Sequence, residues 1–209
     1  MDMQKIKIPI HQQSKIVIID YGAGNLQSVL FAMERMGVEA IVSNNKKTIK
    51  EADKVIFPGV GHAKAAMMQL EKYDLIDVIS SLEQPVLGIC LGMQLLCDFS
   101  EEGNTKGLGV IPLTVKEFKQ SPKIPHMGWN TMNELKGNLF DHIKNDDYVY
   151  YVHSYYVPLS QYTLAKTSYG ESFSGAIQKD NFYACQFHPE KSGSVGEQIL
   201  KNFLKIKSE

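Results

Sequence analysis

Cys90 lies in Pro85-Val-Leu-Gly-Ile-Cys90-Leu-Gly-Met-Gln94, where an apolar run ends in Gly-x-Cys-x-Gly and a helix-like segment follows. This is the cysteine form of a nucleophile elbow, a sharp strand-to-helix turn that lifts a side chain clear of a buried strand. Gly88 and Gly92, two residues either side of the thiol, supply the missing side chains that such a turn needs. The helix beyond it places its partial positive end at the sulfur and favours the thiolate.

A thiolate nucleophile requires a base and a group that orients the base. Gln186-Phe-His188-Pro189-Glu190 offers both. Pro189 forbids helix continuation and biases His188 towards extended geometry, in which residues two apart face the same way. Glu190 is therefore expected beside His188, accepting its ring N–H. Taken alone, such a cysteine reads as a small buried hydrophobe and such a histidine as a core residue. The glycine elbow and the His-Pro-Glu turn together point to acyl transfer, in the chain order of an open-sheet cysteine hydrolase.

Acyl transfer also needs donors for a tetrahedral oxyanion. The backbone N–H of Leu91, next after the nucleophile, is one. Pro58-Gly59-Val60-Gly61 is either a second source of amides or an ordinary βα turn. Gly22-Ala-Gly24-Asn25 begins like a dinucleotide fingerprint but has Gln27 at the third glycine position and no acid near position 43. A loop in which Asn25 caps the next helix is the better reading. Cys185-x-x-His188 is not expected to bind metal, because alternation puts the two on opposite faces of a strand.

These groups must be carried by a scaffold, and the first half of the chain describes one. Strands are expected at 15–20, 38–43, 54–57 and 86–89. Helices are expected at 25–36, at 48–52 and, as one or two, at 62–83. Met93–Phe99 reads as the helix after the nucleophile. Such alternation predicts parallel βαβ units with both faces covered. The second half predicts strands at 110–118, 148–157, 163–168, 174–178 and 182–187, then a closing helix at 195–206. The expected fold is α/β: an open, mostly parallel sheet flanked by helices, with antiparallel strands added in the C-terminal half.

The 209 residues suit one domain and are too few for two ordinary ones. Residues 15–209 are expected to form it, with 1–14 as a poorly ordered extension that lacks the apolar core of a signal peptide. A net charge of -1 and a single arginine, Arg35, give no reason to expect nucleic acid or a membrane surface. No stretch approaches a membrane span. Cys90, Cys97 and Cys185 form neither a zinc spacing nor an even disulfide set, which points to a reducing, cytoplasmic setting.

Pro58-Gly-Val-Gly-His62, Gly88-Ile-Cys-Leu-Gly-Met-Gln94 and Phe187-His-Pro-Glu190 resemble the class I, triad-type glutamine amidotransferases. Pro125-His-Met-Gly-Trp-Asn130, Tyr150-Tyr-Val-His-Ser-Tyr155 and His188-Pro-Glu-Lys-Ser192 are similar to one branch of that family, the glutaminase subunits of histidine biosynthesis. The resemblance runs from about Lys15 to the C-terminus. It implies that Cys90, His188 and Glu190 hydrolyse L-glutamine to glutamate and ammonia, and that Gly59, Val60, Gly61 and Leu91 bind the oxyanion. It implies that Gln94, Ser154 and Tyr155 hold the substrate, with no metal and no organic cofactor. The implied partner is a (β/α)8-barrel cyclase, which takes the ammonia to make imidazole glycerol phosphate and AICAR in a heterodimer. Asn25, Trp129, Tyr150 and Lys191 would lie at that contact, although the two aromatics also fit a core and the lysine a solvated turn. A paralogue that feeds a surface-sugar synthase, or a regulatory module without catalysis, are the alternatives.

Overall fold

The computed structural model describes residues 14–22, 25–120 and 122–207. All of the expected 1–14 extension except Ser14 lies outside them. The first half runs β1 (Ile16–Ile19), α1 (Leu26–Arg35), β2 (Ala40–Ser43), α2 (Lys46–Lys50), β3 (Lys54–Gly59), α3 (Ala63–Lys72), α4 (Ile76–Ser80), β4 (Val86–Cys90) and α5 (Leu91–Leu95). There follow β5 (Cys97–Ser100), β6 (Thr105–Lys106), β7 (Ile111–Glu117), β8 (His126–Thr131), β9 (Tyr148–His153) and β10 (Tyr155–Tyr156). β11 (Thr163–Tyr169), β12 (Glu171–Lys179), β13 (Phe182–Cys185) and α6 (Gly193–Lys205) complete the described chain.

Seven strands form the main sheet in the order β11-β12-β13-β4-β3-β1-β2. The five from β13 to β2 are parallel, and β12 and β11 add antiparallel at one edge. This is the α/β architecture expected from the residues. β1 shows why it is covered on both faces: Val17 and Ile19 join one apolar cluster, Ile16 and Ile18 the other. α1 buries Val29, Ala32 and Met33, a helical spacing. Asn25 caps it, its Oδ1 accepting from Ser28 N at 3.4 Å, and Gly37 ends it at φ +72°.

From the helix after Cys90 onward the observed elements depart from the expected ones. The helix after Cys90 spans only Leu91–Leu95, and Cys97–Phe99 belongs to β5. Residues 91–97 are uniformly buried, so their pattern carries no period that separates helix from strand. The expected strand 148–157 is broken at Ser154, with β9 pairing β8 and β10 pairing β7 in different sheets. β8, which starts at His126, has no counterpart among the expected strands. Among the described residues no helix is long and apolar enough to cross a membrane.

The strand order places the chemistry. β4 lies between β13 and β3, with Gly59 paired to Cys90 and Cys185 to Ile89. Three neighbouring parallel strands thus deliver the Pro58–Gly61 turn, Cys90 and the His188 turn at one edge, the carboxyl ends where open α/β sheets collect their ligands.

Candidate active site

Every residue of Val86–Cys90 is buried, and the strand ends on Cys90 at φ 54°, ψ −109°. A non-glycine residue in that region is strained by roughly 1–3 kcal/mol and persists only where its surroundings enforce it. The strain sits on the cysteine, not on the glycines, neither of which has a positive φ. Gly88 and Gly92 are required by packing instead. A Cβ on Gly92 would overlap the Phe57 carbonyl oxygen, and one on Gly88 would come within 2.9 Å of Leu96 Cδ1. The β3 backbone therefore lies against the first turn of α5 and holds the elbow shut.

His188 is extended at φ −99°, ψ 95°, as expected, but Pro189 then opens a 3₁₀ turn over Pro189–Lys191. Proline suits the first position of a turn because its missing N–H is not needed there. His188 Nδ1 donates to Glu190 Oε1 at 2.8 Å, and both side chains are buried. His188 N donates to Tyr150 O at 2.9 Å. Ser192 Oγ donates to His188 O at 2.6 Å and accepts from Tyr150 N at 2.9 Å, fastening the turn to β9. With Nδ1 engaged, Nε2 is the nitrogen left for proton exchange, and it has no hydrogen-bond partner among the described residues. Burial alone would push the imidazole down; the Cys90 sulfur and the Glu190 carboxylate outweigh it and raise His188 to about 10. His188 therefore carries its proton at neutral pH.

Cys90 and His188 open into a cavity of about 180 Å³, room for an amino acid and little more. Val60, Gly61, Leu91, Gln94, Ser154 and Tyr155 also line it. Gly59 does not: a Cβ there would meet Gly92 N at 2.6 Å, so it serves the close approach of β3 to the elbow. Gly61, at φ +95°, gives the turn above the cavity its freedom. Gln94 is buried, its Nε2 donating to Tyr155 O at 2.9 Å and to Gln186 Oε1 at 3.0 Å. A larger hollow of about 780 Å³ opens near Pro85 and Lys205, at the opposite end of β4. It contains none of these groups.

The remaining expected residues lie outside the cavity but around the same turn. α1, capped by Asn25, packs on Pro189–Lys191, and Lys191 is exposed. Trp129, 54% exposed, meets the Tyr150 ring edge-on at 6.0 Å between centroids. Neither aromatic is in the core.

Sequence reasoning missed Glu102, His126, His153 and Gln186. Glu102 is the only acidic side chain among the described residues of the cavity wall, its Oε2 accepting from Ala63 N at 2.6 Å. Nothing in its local sequence marks it. His126 and His153 are a buried pair, His126 Nδ1 to His153 Nε2 at 3.0 Å. Burial pushes them down to about 4 and about 3, so both are neutral. Their presence in the Pro125–Asn130 and Tyr150–Tyr155 stretches was the available signal. Among the described residues no group of three or more His, Cys, Asp or Glu is placed to hold a metal ion.

The chain is similar to known proteins over most of its length. The sequence model of the family described as Glutamine amidotransferase class-I matches residues 17–206. A relative from Bacteroides fragilis, the imidazole glycerol phosphate synthase subunit HisH, is 55% identical over 195 residues, which is 92% of this chain and all of the relative. The subunit of the same name from Bacteroides thetaiotaomicron is 49% identical with the same coverage. A solved glutamine amidotransferase superposes with a TM-score of 0.71 at 18% identity, covering 90% of this chain and 97% of its own, a likeness of fold.

Proposed function

Since the chain belongs to the class-I glutamine amidotransferase family, we propose that it is the glutaminase subunit of an imidazole glycerol phosphate synthase, working through a Cys90–His188–Glu190 triad. The observation that carries the reading is a strained cysteine sharing an amino-acid-sized cavity with a histidine pinned to a buried glutamate.

Cys90 Sγ attacks the side-chain amide carbon of glutamine, and the oxyanion is met by the Leu91 N–H and the amides of the Val60–Gly61 turn. His188 gives its proton to the departing nitrogen, so ammonia leaves and a γ-glutamyl thioester remains. A water molecule loses its proton to His188 and attacks the thioester, releasing glutamate and restoring the thiolate. Glu190 keeps Nδ1 occupied throughout, so Nε2 does the transfers. Gln94, Ser154 and Tyr155 hold the amino-acid end. The ammonia passes to a (β/α)8-barrel cyclase, which docks on the face where Met127, Trp129 and Tyr148 of the β8–β9 hairpin stand exposed beside Lys191 and Asn25. Residues 15–209 form the single working domain, in the reducing cytoplasm that three free cysteines suit.

The test is glutaminase turnover with and without a histidine-pathway barrel subunit and its ribonucleotide ligand. Turnover should rise with the loaded barrel. A rise only with the barrel of a sugar pathway would reassign the customer, and no turnover with any partner would sink the reading.

Glu102 suits the ammonium group of the substrate, because one oxygen is taken by Ala63 N and the other remains for a ligand. Glu102→Gln keeps an acceptor for Ala63 and removes the charge. The KM for glutamine should rise roughly 10- to 100-fold, the worth of a charge-assisted hydrogen bond, with kcat much less affected. A KM equal to that of the unaltered enzyme would remove Glu102 from substrate recognition.

A further inference from the structure

We propose that Gln186 is a positioning residue for the nucleophile, its side-chain amide donating to Cys90 Sγ in an orientation imposed from the substrate cavity. The proposal rests on reading Cys90 as the nucleophile. Gln186 is fully buried, with Nε2 3.8 Å from Cys90 Sγ and Oε1 3.0 Å from Gln94 Nε2.

The two ends of an amide have the same outline, so its direction has to be argued from its neighbours. The fixed point is the Tyr155 carbonyl, which can only accept. Gln94 lies 2.9 Å from it and must therefore turn its NH2 that way. The other hydrogen of that NH2 points at Gln186, which must answer with oxygen. The Gln186 NH2 is then left facing the sulfur. Reversal would set two NH2 groups against each other at 3.0 Å in a buried site.

The same carbonyl is held in place from its other side. It accepts from His153 Nδ1 at 2.7 Å, which leaves His153 Nε2 to accept from His126 Nδ1. His126 Nε2 in turn accepts from Asn130 Nδ2 at 3.2 Å. One acceptor thus sets both imidazole tautomers and both glutamine amides, and the chain of donors ends at Cys90.

The sulfur needs this donor once it is charged. As a thiol it donates to Val152 O at 3.8 Å. As a thiolate it has nothing to donate, and that carbonyl repels it. Gln186 then holds the sulfur from a buried side where a hydrogen bond to an ion is worth more than one between neutral groups. A group that merely filled space beside Gln94 would have no effect on the ionisation of the thiol.

Two variants separate these roles. Gln186→Glu keeps the oxygen that Gln94 requires and replaces the donor at the sulfur; Gln186→Met keeps the approximate volume and removes both polar ends. The measurements are the pH dependence of Cys90 alkylation by iodoacetamide, located by mass spectrometry, and glutaminase kinetics in the assembled complex. In both variants the alkylation midpoint should move up by about one pH unit or more. kcat should fall roughly 10- to 100-fold, while KM for the Glu variant stays within about threefold. A folded, partner-binding Gln186→Glu protein with the unaltered midpoint and kcat would overturn the proposal. Failure of the parent reading looks different: the unaltered protein would then alkylate Cys90 no faster than Cys97.

Discussion

Cys90→Ala should lower glutamine hydrolysis in the assembled complex by on the order of 10⁴- to 10⁶-fold, the usual consequence of losing a covalent nucleophile. No other thiol can substitute. Cys97 and Cys185 are buried, and burial pushes Cys97 up to about 12 and Cys185 well above the ordinary thiol range. The variant should fold and bind its partner, because alanine occupies the same strained backbone and the packing of Gly92 on Phe57 is untouched. Its unfolding free energy should change by no more than about 1–2 kcal/mol. Glutamate release by mass spectrometry, beside a thermal unfolding scan, checks both halves. Near-normal release from pure Cys90→Ala protein would remove the thiol from the mechanism.

Glu190→Gln should be the next most damaging change. Weakening the group that orients the imidazole is expected to cost roughly 10³- to 10⁴-fold in kcat, as it does in other triads. It should also change the pH profile, in a direction the structure specifies. His188 is raised from 6.5 to about 10, so its charged form is favoured by folding. The stability this contributes is complete below about pH 6.5 and is lost as the pH climbs from there through about 10. Turnover should therefore hold through pH 7–9 and fall near pH 10, where the proton for the leaving ammonia is gone. With glutamine at 190 the imidazole loses part of its electrostatic support, and the alkaline limb should move to lower pH. A profile of kcat from pH 6 to 11 measures this; an alkaline limb that stays in place would separate Glu190 from the titration of His188.

The extent of what the chain reveals unfolded is best seen at the elbow and the turn that faces it. The Gly-Ile-Cys-Leu-Gly stretch was enough to place Cys90 at a strand end. It was not enough to show that Cys90 itself carries the positive φ, because the need for glycine at 88 and 92 comes from β3, β13 and α5 pressing on them. His188 and Glu190 were expected two apart on an extended chain. They do meet, but across the start of a 3₁₀ turn, held by Tyr150 and Ser192. The pattern at Met93–Phe99 reads as helix although Cys97–Phe99 is strand, because residues 91–97 are all buried and have lost the solvent-facing half of their pattern.

Local chemistry along the chain thus marked the candidate nucleophile, its candidate base, the cap on α1 and the parallel βαβ order, since each depends on neighbours a few residues apart. Glu102, Gln186 and the His126–His153 pair are of another kind. Gln94 and Gln186 are 92 positions apart and meet only because β13 lies beside β4 in the sheet. Their amides point as they do only because the Tyr155 carbonyl, brought in by β10 from a second sheet, can accept and never donate. Strand order and register set those contacts, and neither is a property of any short stretch of sequence.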